Sequence, residues 1–251
     1  MPFLFTNRTG GVSAGPFASL NLGDHVGDDP AAVAANRRRL AATTGARPHF
    51  LRQVHGARVV MLGGETRDGL DADAPLSQQV GRPGGPALLD QDGQPPAADA
   101  AVTALPGNAL VVLVADCVPV VLVAPGAVGV AHAGRAGLAA GVVPATVAAL
   151  GALGAAPRRV HAEIGPAVCG RCYEVPAPMR AAVDAIVPGT ATTTRAGGPA
   201  LDLRAGVEAQ LRQSGVTDIT VSDRCTMEDR QFFSHRRDAG RTGRFAGVAW
   251  L

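Results

Sequence analysis

Between residues 109 and 132 the chain is almost continuously apolar, interrupted mainly by Asp116, Pro119 and the dipeptide Pro125-Gly126. Those interruptions exclude a bilayer span, because a carboxylate and two prolines sit inside the hydrophobic stretch. The run must instead be buried within a sheet. Residues 109–115 and 126–132 read as strands, apolar residues continue through 118–124, and Pro125-Gly126 is a natural turn between the halves. A chain of 251 residues has enough length to bury such a core without disulfide staples.

The rest of the sequence alternates helix and strand signals. Residues 3–6 predict a short strand, followed by a polar loop from Asn7 to Ser19. A helix is expected over 30–43, capped by Asp28 or Asp29, with Pro30 in its first turn and Gly45 at its end. Val33, Arg37 and Leu40 share one face of it, so Arg37 either snorkels or faces a polar site. Two strand pieces are expected within 50–62, around Gln53-Val-His-Gly56, and strand-like material resumes at 100–103. Helices are expected near 137–153 (split at Pro144), 177–187 and 202–214, and strands near 159–164, 216–222 and 244–250. The pattern is mixed α/β in one domain covering 1–251. Residues 76–98, rich in Gln, Gly and Pro, read as a surface excursion.

Charge narrows the function classes. All 23 cationic residues are arginine, against 21 acidic ones, so lysine chemistry of the Schiff-base or P-loop kind is excluded. The arginines are spread along the chain, which argues against a nucleic-acid partner. The N-terminal apolar run is too short for a signal peptide. Four cysteines (Cys117, Cys169, Cys172 and Cys225) do not make a disulfide scaffold in a chain of this size. A cytoplasmic protein with reduced thiols is expected, with no membrane association and no obligate protein partner.

Three residues carry chemistry. With Pro125-Gly126 at the turn, Pro119 faces His132, and Cys117 lies two residues along on the same strand face. Cys117 and His132 are then diagonal neighbours with Cα atoms ~7–8 Å apart. Together with His55 they form a donor set of one thiolate and two imidazoles that suits Zn²⁺ and leaves a fourth position open. Spacing alone leaves this open against a buried thiol and structural histidines. Pro119 fits a strand only at an edge or a bulge. Cys169 and Cys172 form the one Cys-x-x-Cys. They can be a redox pair or half a zinc site, but without a second Cys pair they read as loop or core thiols, and Cys225 as packed.

The chain resembles the bacterial multicopper polyphenol oxidase-like family, whose members are also described as laccase-domain purine nucleoside phosphorylases. The resemblance rests on Thr6 to Gly23, Gln53-Val-His-Gly56, Ala98-Asp-Ala-Ala-Val-Thr103, Ala115-Asp-Cys-Val-Pro119 and Val130-Ala-His-Ala-Gly134. Ile164-Gly-Pro166, Cys172-Tyr-Glu-Val175 and Phe233-Ser-His-Arg-Arg-Asp238, followed by Gly240-Arg241, continue it. It implies a single layered domain with a sheet core flanked by helices, and a zinc site mapping onto His55, Cys117 and His132. It also implies cleavage of inosine, adenosine or methylthioadenosine by phosphate to base and ribose 1-phosphate, with adenosine deamination at the same site. Arg135 stands where the family usually has tryptophan, and His235 where it usually has tyrosine. Both departures bear on substrate preference.

For phosphorolysis, Arg8 and Arg236 are the expected phosphate ligands because a guanidinium donates paired hydrogen bonds. Asn21 is an expected substrate ligand. The Cys-x-x-Cys lacks the preceding proline of the familiar zinc nucleobase deaminases, so deamination needs another proton carrier. Asp99 is the candidate general acid/base, and Asp116 is a supporting group. Copper fits less well than zinc: the six histidines contain no His-x-His pair, which speaks against multicopper oxidation. Two alternatives stand beside the phosphorylase. One is a cysteine hydrolase or deamidase using Cys117 and His132, as in the necrotizing-factor deamidase toxins thought to share this fold. The other is editing of peptidoglycan precursors, a role attached to bacterial members.

Overall fold

Why the 109–132 run lacks the polar/apolar alternation of an ordinary surface strand is explained by its layers. In the computed structural model, which describes residues 2–63, 89 and 92–251, this run forms three strands: β5 (Asn108–Val114), β6 (Val118–Ala124) and β7 (Ala127–Ala133). Nearly every residue in them is buried, because both faces of each sheet are covered. Most of the surface excursion expected at 76–98 lies outside the described residues.

Two sheets share the work. One places β1 (Phe3–Phe5), β12 (Phe245–Trp250), β5 and β2 (Arg47–Phe50) side by side. The other runs β11 (Asp218–Val221), β8 (His161–Ile164), β6, β7, β4 (Ala100–Thr103) and β3 (Val59–Leu62). Leu110, Val112 and Ala249 of the first pack against Val121, Val128 and Val130 of the second, forming the core between the sheets. The outer face of the first sheet is covered by α1 (Pro30–Thr44) through Leu40. The outer face of the second packs with α2 (Arg135–Ala139), α3 (Val142–Ala152), α4 (Ala177–Ile186) and α5 (Leu203–Gln213). The result is a layered α/β domain in the order helix, sheet, sheet, helices. None of its described helices is long and apolar enough to cross a membrane.

Local chemistry sets the boundaries. Asp29 caps α1 by accepting from Ala31 N, and Gly45 ends it at φ 64°. Asp28 instead accepts from Ser13 and Asn21. The helix expected to split at Pro144 breaks earlier, at Gly141 (φ 85°). Pro144 then falls in the first turn of α3, where its missing N–H costs nothing. A two-stranded ribbon of β9 (Ala191–Thr193) and β10 (Pro199–Leu201) had no sequence expectation.

The β6–β7 register pairs Pro119 with His132, as the turn predicts. Pro119 nevertheless lies in a central strand, not at an edge. Its carbonyl accepts from Gly165 N, and the β6–β8 pairing begins only at Val120, so its missing N–H falls beyond the end of that ladder. From β5 the chain then crosses from one sheet to the other through Ala115-Asp-Cys117, with Asp116 at φ 91°.

Leu110 is fully buried between the sheets. Leu110→Ala is expected to lower unfolding free energy by about 2–5 kcal/mol, as read from urea denaturation. A loss below about 1 kcal/mol would show that the two sheets are not packed on this side chain.

Candidate metal centre and cavity

Each member of the trio arrives by a different local device. His132 sits near the end of β7 and is only 3% exposed. Cys117 is held at the foot of β6 by the sheet-crossing segment. His55 lies in the loop between β2 and β3, at φ 60°, a left-handed conformation uncommon for a residue with a side chain. What holds it there is the fully buried carboxylate of Asp99. Its Oδ2 accepts from Val54 N (3.1 Å) and Gly56 N (2.7 Å), and its Oδ1 from His55 N (2.9 Å).

Asp99 Oδ1 also meets His132 Nδ1 at 2.8 Å. An ionised carboxylate only accepts, so the ring proton sits on Nδ1 and Nε2 is left for the cluster. The side-chain donor atoms of His55, Cys117 and His132 lie within 4.8 Å of one another, and the two rings meet edge to face at 4.8 Å between centroids. Gly134 makes room for them: a Cβ there would stand 2.9 Å from His55 Cδ2 and 3.1 Å from Cys117 Sγ.

Electrostatics couple the three groups. Burial opposes ionisation of Asp99, but His132 and the N–H groups of Gly56 and His55 outweigh it and hold its pKa below the usual carboxylate value. Burial also opposes the Cys117 thiolate, yet the His132 and His55 imidazoles bring that thiol down to about 6. The same thiolate, with Asp99, lifts His132 to about 9 against its own desolvation. One sulfur and two imidazole nitrogens form a borderline-soft set with three protein ligands, the composition of an open zinc-type centre. The residues fit a metal of that class.

The cluster opens into a cavity of about 710 Å³. Phe50 and Tyr173 contribute aromatic walls, and the guanidiniums of Arg37, Arg52, Arg236 and Arg244 line it.

The whole chain, residues 2–251, matches the family model described as multi-copper polyphenol oxidoreductase laccase. The protein belongs to this laccase family. A relative named purine nucleoside phosphorylase ORF3, from Streptomyces griseus, is 52% identical over 99% of this chain and 94% of its own length. A Mycobacterium tuberculosis relative, also named purine nucleoside phosphorylase, is 50% identical over 98% of this chain and 90% of its own. Among solved structures, YlmD from Geobacillus stearothermophilus superposes with a TM-score of 0.81 at 36% identity, covering 99% of this chain and 91% of that one.

Within this laccase-family chain the other expected site residues separate. Arg236 is at the cavity, stacked 5.0 Å from the Tyr173 ring, with its Nη1 donating to Glu174 O. Arg8 is elsewhere: its guanidinium lies over Phe233 at 4.7 Å and donates to Ala18 O. Asn21 is fully buried and saturated, donating to Gly23 O and Asp28 and accepting from Gly23 N and Arg244 N. Neither lines the cavity, because the N-terminal segment turns these side chains inward to tie itself down. The Asp99 oxygens are occupied by backbone N–H groups and His132, and Asp99 does not line the cavity. Asp116 accepts from Thr226 Oγ1 (2.6 Å) and Arg236 N (2.7 Å), which anchors the loop that carries Arg236.

Of the two places the sequence leaves open for Arg37, the structure takes the polar site: Arg37 is held by Asp24 at 3.1 Å and lies 3.9 Å over Phe50. Sequence reasoning missed two contributors, Arg52 and Arg244, since isolated arginines carry no periodic signal.

In metal-stripped protein, alkylation of Cys117 is expected to rise with pH about a midpoint near 6, because the thiolate is the nucleophile and its pKa is lowered. His132→Asn should move that midpoint upward. A wild-type midpoint near the ordinary thiol value of about 8.5 would refute the coupling. Gly134→Ala should weaken metal binding at the trio without changing the far-ultraviolet circular dichroism. Unchanged metal affinity would show that the cluster does not depend on this close approach.

Proposed function

We propose that the protein is a zinc-dependent purine nucleoside phosphorylase, cleaving inosine, adenosine or methylthioadenosine with phosphate, and that it also deaminates adenosine. The observation that carries the reading is the convergence of His55, Cys117 and His132 at a cavity lined by both aromatic rings and arginines. The names of the Streptomyces and Mycobacterium relatives support it. A Zn²⁺ held by the trio would supply Lewis-acid polarisation of a substrate atom at its open position.

The chain's own residues account for the other requirements. A volume of about 710 Å³ suits a nucleoside together with phosphate. Phe50 and Tyr173 offer flat apolar surface for a purine. Arg236 is the proposed phosphate ligand, with Arg244 beside it replacing the role expected of Arg8; fixed guanidiniums in a partly desolvated site stabilise the oxyanion without reorganising. Arg135 interacts with Tyr173, adding a cation where the family usually has an aromatic residue. Asp99 keeps both imidazoles aimed at the cluster. For deamination, His25 and His235 are the imidazoles outside the trio that line the cavity, and either can carry a proton.

Multicopper oxidation has less support, because neither donor cluster among the described residues contains more than two histidines. One observation favours the cysteine-hydrolase reading: Cys117, His132 and Asp99 stand in the order nucleophile, base and orienting carboxylate. Zinc occupancy would tie up the thiolate, so the two readings exclude each other.

The test is release of free base from inosine and adenosine, with and without phosphate, by zinc-loaded protein. Phosphate-dependent release is expected, abolished by Cys117→Ala. Arg236→Ala should raise the KM for phosphate about tenfold or more, the loss of one charge-assisted hydrogen bond at ~1.5–3 kcal/mol. No phosphate-dependent release would overturn the phosphorylase, and metal-free protein hydrolysing amides through Cys117 would establish the alternative.

A further inference from the structure

The remaining three cysteines, read from the sequence as loop or core thiols, do not lie apart. Cys169, Cys172, Cys225 and Glu228 bring four donor atoms within 4.8 Å of one another, away from the His-Cys-His trio. The geometry points to a second metal site, a closed structural one for a thiophilic divalent cation of the zinc class, with these four side chains as its ligands.

The site is built from two turns of the same design. Cys169-Gly-Arg-Cys172 closes on itself through Cys172 N and Tyr173 N donating to Cys169 O. Cys225-Thr-Met-Glu228 does the same, with Glu228 N and Asp229 N donating to Cys225 O. Each turn therefore offers donors at positions i and i+3, the spacing of paired zinc-binding turns, with Glu228 standing where a fourth cysteine would complete the set. This is why a search for a second Cys-x-x-Cys in the sequence finds nothing.

The turns are already docked. Ala167 and Cys225 form a parallel bridge, Thr226 N donates to Ala167 O, and Cys169 N donates to Cys225 Sγ at 3.3 Å. Cys172 Sγ donates to Glu228 Oε1 at 3.4 Å. A tetrahedral site with metal–sulfur bonds of ~2.3 Å needs sulfurs ~3.8 Å apart, so donors within 4.8 Å need less than about 1 Å of adjustment.

Donor chemistry selects the class of ion. Three thiolates favour a soft or borderline cation over Mg²⁺ or Ca²⁺. Four protein ligands leave no open corner, in contrast to the trio. Arg195 pairs with Glu228 Oε1, which fixes the carboxylate and offsets part of the negative charge that three thiolates and a carboxylate would leave around a dication. Cys169 and Cys225 are buried, while Cys172 and Glu228 reach the surface, so an ion can enter from solvent.

The consequence reaches the cavity. One turn leads into Tyr173 and follows Val168, and the other precedes His235 and Arg236; all four line the cavity wall. A cation bridging the turns would lock that wall.

The test uses the full-length Cys117→Ala chain, purified under reducing conditions, stripped, and titrated with Co²⁺. Removing Cys117 leaves the trio without a thiolate. The proposal expects one cobalt per chain with a strong near-ultraviolet sulfur-to-cobalt charge-transfer band, about threefold the band that one thiolate would produce. Adding Cys172→Ser should abolish or greatly reduce the band. Should that double variant fail to fold, Cys117→Ala with Glu228→Gln, a change at a surface side chain, should weaken cobalt binding at least tenfold. Zinc analysis of wild-type protein should find two equivalents per chain. Absence of a thiolate band in Cys117→Ala would overturn the proposal, as would an intact mass lighter by two hydrogens from a disulfide among Cys169, Cys172 and Cys225. Neither result bears on base release at the trio.

Discussion

The carboxylate of Asp99 is the interaction on which the centre depends. It lies one residue before β4, fully buried, and gathers three successive backbone N–H groups from the loop that carries His55 while also receiving Nδ1–H of His132. Hydrogen bonds to a charged group contribute about 1.5–3 kcal/mol each, whereas a buried carboxylate without partners would cost several. That balance offsets the unfavourable backbone of His55, which would otherwise relax out of the left-handed region. A single anion thus sets the tautomer of one imidazole and the position of the other.

The second determinant is the route of the chain between sheets. β5 belongs to one sheet and β6 to the other, and the crossing is made in the three residues Ala115-Asp-Cys117. A crossing this short cannot stay extended, and Asp116 takes a positive φ to accomplish it. The turn delivers Cys117 to the cluster and points Asp116 at Thr226 and the backbone of Arg236. The residue that gives the cluster its sulfur is therefore adjacent to the one that anchors the arginine loop. The cavity wall and the thiolate are coupled mechanically through one peptide.

Much of the fold was legible in the sequence because its signals are local. Asp29 and Gly45 bound α1, and Pro125-Gly126 sets the β6–β7 register that brings Cys117 close to His132. Where the structure departs from the sequence, the causes are physical. The sequence allows Pro119 only at an edge or a bulge, yet a central strand tolerates it because the neighbouring ladder stops one residue later. The sequence does not tell that Arg8 and Asn21 turn away from the cavity, because a polar, glycine-rich segment looks the same whether its side chains face a substrate or close upon themselves. Cys225 was read as packed because its partner at i+3 is a glutamate.

What the sequence determined by itself is the set of buried strands, their turns and the one register that aligns a thiol with an imidazole. Periods of 2 and 3.6 residues, caps and prolines act over a few positions and are written in consecutive residues. Only the tertiary structure decided how His55 is turned toward that pair, that the Asp99 oxygens are taken up by backbone N–H groups and His132, that Arg52 and Arg244 reach the cavity, and that Cys169, Cys172, Cys225 and Glu228 converge. Those groups sit on loops, and where a loop delivers its side chains depends on how two sheets stack and which buried carboxylate collects its N–H groups. No spacing within the chain encodes that.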